Sequence, residues 1–376
     1  MLKDKKVLCV IGARSVGGAE GGIENQIFLL LPYLSKRYKV IVFVDKRFER
    51  ISEKKIKSVG ITNVKIIGIS APPNRPINKI LLSIISAIIS LKYKPDIVYF
   101  NGLGCCLPIP LIKLSKKTKV VVHIRSYDIL YPDWNIIGKI MFAFIIMLVR
   151  CFADKIISTN PLFQRLISKG TNKKAYLLEN AAILEDKKNH DDSSLLRSFQ
   201  HKYGIALKKC KYVLFIGRIT PFKRIELLIK AYLKSSIKSS HKLLIVGGII
   251  DKKYYCKLKR MIPEEYQQKI LFLGKMDKRF IPLLYKNAHC VVLPSYFEGM
   301  PNVVIEACVY GTPIYVSDIS PHLSLKFLKR NAYFSNEKEL AIKLEKPKRT
   351  CMRGYVLSCL HPKKIASDLI KIFEEK

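Results

Sequence analysis

Short, continuously apolar runs alternate with longer stretches of helically spaced apolar residues along the whole chain. In the first half the short runs are KVLCVIG, YKVIVFVD, VKIIGIS, DIVYFNG, KVVVHIR and DKIISTN. In the second half they are KYVLFIG, HKLLIVGG, KILFLG, AHCVVLPS and PIYVSD. None shows the polar alternation of a half-exposed strand, so the pattern predicts strands covered on both faces of a parallel sheet. Between several of them lie predicted helices such as IENQIFLLLPYLSKR and INKILLSIISAIISLKYK. Strands alternating with helices predict an α/β fold, and two such series predict two doubly wound domains. The polar stretch from Glu185 to Lys202 is read as the divider. The expected organisation is an N-terminal domain over 1–185, a second over 203–350, and a C-terminal helix over 360–376 after the charged break EKPKRTCMRG. Packing of that last helix back on the first domain is an expectation.

Length agrees with this division, because 376 residues exceed one ordinary core. The ten cysteines show no C-x-x-C pair and no disulfide or zinc spacing, which fits buried thiols in a reducing compartment. The apolar run from Val7 to Ala13 ends at Arg14 and reads as a first strand rather than a signal peptide. No stretch reaches the about 20 apolar residues of a membrane span. WNIIGKIMFAFIIMLVRCFADK comes nearest, but Lys139 and Arg150 bracket its apolar centre, and it is read as a buried helix. The formal net charge is +38, with +18 on residues 1–170 and +20 on 171–376, so no basic tail accounts for it. Such a surface attracts polyanions: nucleic acid, anionic lipid or phosphorylated substrate. A lysine- and isoleucine-rich composition is the plainer reading.

In open parallel sheets ligands bind beyond the carboxyl ends of the strands. GARSVGGAEGGIE follows the first strand, and Gly12, Gly17, Gly18, Gly21 and Gly22 would let backbone approach a phosphate. The loop is neither G-x-G-x-x-G nor a Walker loop, and a plain turn is an equal reading. FIGRITPFKRIELL opens the second domain, where Gly217 clears space and Arg218 with Lys223 can clamp a diphosphate. The alternative is a solvated basic loop. In LPSYFEGMPNVVIEACVYGTPIYVSD, Pro301 and Gly311 predict a helix over 301–310 whose amino end favours an anion. Glu306 stands inside this apolar helix and needs a partner. Two neighbouring ribose hydroxyls would serve, as would a structural ion pair with Arg218 or another cation.

These residues, from about 211 to 318, resemble the nucleotide-sugar half of the glycosyltransferases of family 4. The specific part is the pair Glu298 and Glu306 in E-x7-E spacing, with the upstream G-R…K. The first domain is similar more loosely, through the GGIE loop, KVVVHIRSYD and ADKIISTN; the family's PNG turn is present only as LLENAAI, around Asn180. The resemblance implies retaining enzymes of the GT-B fold, two Rossmann-like domains facing each other across a cleft. It implies that Arg218 and Lys223 bind the donor diphosphate, that Glu306 binds the ribose, and that Glu298 lies beside the transferred sugar. Gly217, Gly299, Met300, Pro301 and Asn302 would line the donor site, with Gly21, Gly22 and Asn180 adding substrate contacts from the first domain. The family often has a histidine near the position of His123 and Arg125, and either is the candidate acceptor-side catalytic residue.

The implied donor is a nucleotide-diphosphate sugar, with no cofactor and no metal, since no Asp-x-Asp is present. The implied acceptor is a glycan or lipid-linked molecule in cell-surface polysaccharide synthesis, lipopolysaccharide or capsule. With the charge, this predicts a cytoplasmic enzyme peripheral to the anionic inner face of the membrane. INKILLSIISAIISLKYK and WNIIGKIMFAFIIMLVR are the candidate contact segments, with Trp134 at headgroup level, unless both are simply buried helices. Three alternative readings stand beside this one. A GT-B epimerase or phosphorylase is the nearest. A basic nucleic-acid-binding protein is disfavoured because Glu298 and Glu306 would repel phosphates, so no nucleic acid partner is expected. A nicotinamide-dependent oxidoreductase could use Asp45 on ribose but lacks the glycine fingerprint.

Overall fold

The computed structural model describes residues 5–17, 21–72, 75–126, 129, 134–183 and 192–375. Gly18 and residues 185–191 of the polar stretch lie outside them. Among the described residues, two wholly parallel sheets form. The first holds β1 (Val7–Ile11), β2 (Lys39–Asp45), β3 (Val64–Ile69), β4 (Ile97–Asn101), β5 (Lys119–Ile124), β6 (Lys155–Ser158) and β7 (Ala175–Leu177), in the order β3-β2-β1-β4-β5-β6-β7. The second holds β8 (Tyr212–Ile216), β9 (Lys242–Val246), β10 (Ile270–Gly274), β11 (Cys290–Leu293), β12 (Ile314–Ser317) and β13 (Tyr333–Phe334), in the order β10-β9-β8-β11-β12-β13. The apolar runs account for eleven of these strands. The two edge strands β7 and β13, with 3 and 2 residues, are too short to leave a pattern.

Packing divides the chain into Met1–Ala181 with Leu360–Lys376, and Ala182–Cys359. The polar stretch read as a divider carries the helix Asp192–Tyr203, which belongs to the second unit. Its anchor is a fully buried Phe199, 5.4 Å ring to ring from Phe280, too isolated in a polar segment to give a periodic signal.

In the first unit β4 is buried along its whole length, and β1 is closed from Leu8 onward. Gly12 ends β1 with φ 109°, and a Cβ there would lie 2.5 Å from the carbonyl oxygen of Asn101. The glycine is thus required for the approach of two strand ends, whatever else the loop does. The C-terminal helix Pro362–Glu374 packs on the helix Gly22–Arg37: Arg37 Nε meets Glu374 at 2.8 Å, and Phe373 stands edge-on to Tyr38 and Tyr99.

The two segments considered for membrane contact differ. The helix Arg75–Leu91 lays Leu82, Ser83, Ser86, Ala87 and Ser90 against the core. The helix Ile136–Phe152 buries Phe142, Ile145, Ile146, Leu148 and Val149 but leaves Ile136, Ile137, Ile140, Phe144 and Met147 exposed by 48% to 72%. It is therefore a helix with two apolar faces, one of them uncovered, and not the wholly buried helix expected. Trp134, expected at headgroup level, is partly buried and packs on Phe142 with ring centroids 5.3 Å apart. Among the described residues no helix is long and apolar enough to cross a membrane.

Candidate functional site

In the second sheet the order reverses between β8 and β11, and this is where an open parallel sheet offers a crevice. The residues after these two strands are the ones singled out in the sequence. Gly217 ends β8 and is bound through its N–H to Val246. Gly247, with φ 147°, lies so close that a Cβ on it would sit 1.9 Å from the Gly217 carbonyl oxygen. Arg218 projects from this strand end, exposed and with no hydrogen bond or ion pair among the described residues. Lys223 follows on a 3-10 turn, Pro221–Lys223, and forms an ion pair with Glu298 in which both side chains are 12% exposed. Ser295, just past β11, donates to the same Glu298 Oε1 at 2.7 Å. Burial pushes the Glu298 carboxyl upward, but the charge of Lys223, helped by nearby His322, and the hydrogen bonds from Lys223 and Ser295 outweigh it. Glu298 is therefore held below the usual carboxylate range, ionised, and fixed in place.

The helix predicted over 301–310 spans Asn302–Tyr310, with Pro301 as its N-cap and Gly311 left-handed at φ 73°. Met300 and Pro301 are buried, Gly299 and Asn302 partly so. Glu306 is partly exposed and does not pair with Arg218; Tyr285 donates to its Oε2 at 2.8 Å. Tyr285 also stacks on Tyr310, with centroids 5.5 Å apart and planes within 7°. Burial raises the Glu306 carboxyl, while the Tyr285 hydrogen bond and Lys278 oppose the rise. Among the described residues only Oε2 accepts a hydrogen bond, and Oε1 has none.

In the first unit Gly21 caps the helix beginning at Gly22, and the Glu24 carboxylate lies over it: a Cβ on Gly21 would be 1.8 Å from Glu24 Oε2. Arg14 Nε meets that carboxylate at 3.3 Å. His123 and Arg125 converge on one hydroxyl, as expected for side chains two apart on a strand. Tyr99 Oη is 2.6 Å from His123 Nδ1 and 3.4 Å from Arg125 Nη2. His123 is 1% exposed, and burial together with the Arg125 charge holds it well below the usual imidazole range, so it is neutral. Asn180, in the segment that replaces the PNG turn, accepts from Arg125 Nη1 at 2.8 Å. Asp45, the ribose acid of the oxidoreductase alternative, is occupied by Arg47 at 2.5 Å and by the N–H of Arg47 at 3.0 Å. The partners Tyr285, Ser295, Tyr99 and Asn101 were missed in the sequence. The rule that ligands gather at strand ends, applied to DIVYFNG, would have found Tyr99 and Asn101; Tyr285, 21 residues before Glu306, leaves no such signal.

Residues 198–326 match the family described as Glycosyl transferases group 1, within the second unit. O-antigen chain mannosyltransferase RfbU of Salmonella typhimurium is 29% identical over 59% of this chain and 58% of its own. The N-acetylgalactosamine-N,N'-diacetylbacillosaminyl-diphospho-undecaprenol 4-alpha-N-acetylgalactosaminyltransferase of Campylobacter jejuni is 28% identical over 79% of this chain and 78% of its own. Among solved structures, Anabaena Alr3699/HepE in complex with UDP-glucose superposes with a TM-score of 0.76 at 16% identity, over 99% of this chain and 100% of that one. At that identity the likeness is one of fold. The first three curated relatives are covered over 27% to 78% of their own length. The two Rossmann-like sheets have the GT-B fold, and the motif-bearing second unit matches a glycosyltransferase family. The second unit is thus similar to the group 1 glycosyltransferases, and the resemblance of that unit to family 4 is consistent with the match.

Proposed function

We propose that the protein is a retaining hexosyltransferase that moves a sugar from a nucleoside-diphosphate donor to a glycan or lipid-linked acceptor of cell-surface polysaccharide synthesis. The observation that carries this reading is the strand-end constellation of the second unit: the free Arg218, the Lys223–Glu298 pair, and the amino end of the helix carrying Glu306. The mechanism is electrostatic. As the bond to the sugar breaks, charge grows on the departing diphosphate, and Arg218, Lys223 and the helix amino end near Asn302 neutralise it. No metal is required in this reading, because fixed cations do that work. Glu298, ionised and locked by Ser295 and Lys223, lies against the transferred sugar, and the open oxygen of Glu306 accepts from the ribose. The relatives whose names carry O-antigen and diphospho-undecaprenol support a surface-glycan or lipid-linked acceptor.

A peripheral position at the inner face of the membrane belongs to the same reading. The uncovered stripe Ile136, Ile137, Ile140, Phe144 and Met147 repeats at helical spacing. Beside it, Leu114 is 80% exposed at the end of the neighbouring helix Ile109–Lys113, with Lys116, Lys117 and Lys139 also exposed. Apolar residues flanked by lysines suit an anionic lipid surface, where each basic residue adds about 1 kcal/mol. The deciding experiment for the transferase reading is thermal stabilisation by UDP, GDP, ADP and CMP, followed by turnover of the matching nucleotide sugars. A ligand at 100 times its Kd adds about 2.7 kcal/mol. No stabilisation by any nucleoside diphosphate would sink the reading.

A further inference from the structure

Arg125 is a cation without a counter-ion. Its Nη1 donates to Asn180 Oδ1 at 2.8 Å, and its Nη2 donates to Asn101 Oδ1 at 3.1 Å and to Tyr99 Oη at 3.4 Å. All of these acceptors are neutral. Its Nε is buried and donates to nothing, and the same is true of the neighbouring Asn101 Nδ2. Among the described residues no carboxylate pairs with the guanidinium, and His123 beside it carries no charge. A desolvated ion is tolerated where something compensates it. Here Tyr99, Asn101 and Asn180 supply orientation, but no opposite charge pairs with the guanidinium among the described residues.

The position is informative as well. Asn101 ends β4, directly opposite His123 on β5, and Arg125 follows β5; all stand at the carboxyl end of the first sheet. That edge is where a parallel sheet presents ligand-binding groups. A guanidinium cannot be deprotonated at working pH, and its planar fork matches phosphate and carboxylate oxygens. Arg125 and Asn101, joined by the 3.1 Å bond, each keep a buried spare donor, and an oxyanion is the group that would use them.

We propose that Arg125 and Asn101 form an oxyanion subsite in the first unit, with Asn180 and Tyr99 as positioning residues, and that the subsite binds a phosphate or carboxylate group carried by the acceptor. The proposal rests on the transferase reading for the word acceptor; the anion site itself does not. His123 is then not a proton shuttle. It is a neutral spacer that holds Tyr99 against Arg125 without adding a second charge.

The test uses the full chain carrying Arg218→Ala and Lys223→Ala, which removes the two candidate diphosphate-binding cations of the second unit. Inorganic phosphate binding is measured by calorimetry and by thermal shift against chloride at equal ionic strength. This protein is expected to bind phosphate. Adding Arg125→Gln should weaken binding at least tenfold while the melting temperature in chloride stays level or rises, and Arg125→Lys should recover part of the affinity. Phosphate binding unchanged by Arg125→Gln, or absent from the start, would overturn the proposal. A lower melting temperature in chloride with no recovery by lysine would also overturn it, as the mark of a structural residue. In the otherwise native chain, glucose 1-phosphate, glucuronate and a short isoprenyl diphosphate distinguish a phosphorylated sugar, an acidic sugar and a lipid-linked acceptor. Arg125→Gln should raise the KM for one of them and leave that for a neutral sugar alone; equal effects on all would overturn the proposal. Binding of UDP and GDP to the otherwise native chain is the separate check. If it is absent, the transferase reading falls and the phosphate result stands by itself.

Discussion

The hydroxyl of Tyr285 donates to Glu306 Oε2 at 2.8 Å, and this bond joins two helices of the second unit, Ile281–Asn287 and Asn302–Tyr310. A carboxylate in an apolar helix is thereby kept from rising as far as burial alone would take it. Tyr285→Phe should raise the Glu306 pKa further. Because the ionised form accepts from the ribose in our reading, donor affinity should then begin to fall at a higher pH than in the native protein. Glu306→Ala should weaken donor binding at every pH with little change in melting temperature. Donor Kd measured from pH 5 to 8 for the three proteins decides the matter; identical profiles would make Glu306 structural.

Arg218 and Lys223 differ in what their loss exposes. Arg218 has no partner among the described residues, so Arg218→Ala should cut turnover about 100- to 1,000-fold, the range for one transition-state donor, and leave stability within about 0.5 kcal/mol. Lys223→Ala should lower both, because Glu298 stays behind, largely buried and unpaired. Denaturation midpoints beside steady-state rates separate the two outcomes. Activity abolished by EDTA and restored by magnesium or manganese would contradict the metal-free mechanism.

His241 and His289 lie with ring centroids 4.3 Å apart in the second unit. Burial, then the neighbouring His289 and Lys211, lowers His241 to about 4. Burial, partly opposed by a hydrogen bond to the Leu344 carbonyl, lowers His289 as well. Both are neutral in the fold and take up protons near the ordinary value of about 6.5 when unfolded. Their contribution to stability is therefore full above about pH 6.5 and is lost as pH falls toward 4. Urea midpoints should drop between pH 7 and 5, and the drop should shrink in His241→Gln/His289→Gln.

Ile140 and Phe144 project from the uncovered face of Ile136–Phe152. Ile140→Ser with Phe144→Ser should leave the melting temperature unchanged and reduce sedimentation with anionic vesicles. Native binding should weaken from about 0.1 M to 1 M salt, where the screening length falls to about 3 Å. A native protein that ignores anionic vesicles at low salt would remove the peripheral assignment and leave the transferase reading intact.

Gly247→Ala should destabilise the second unit and weaken donor binding together, since the added methyl meets the Gly217 carbonyl from which Arg218 projects. A calorimetric melt and a nucleotide titration on one sample check both effects.

The sequence by itself determined the class of fold and named the candidate donor-side residues. Uninterrupted apolar runs mean strands covered on both faces, and Arg218, Lys223, Glu298 and Glu306 fall at strand ends or on one predicted helix because their spacing is local. Only the tertiary structure decided partners. Lys223 meets Glu298 across 75 residues and Tyr285 meets Glu306 across 21, distances that depend on strand order and not on sequence separation. It also separated two residues that looked equivalent in the sequence. His123 is sealed against Tyr99, whereas Arg125, two positions on, ends beyond the strand with a charge that no carboxylate among the described residues pairs with. Burial and charge balance belong to three-dimensional neighbourhoods, so a chain read in order can name such residues but cannot tell which of them the fold leaves unsatisfied.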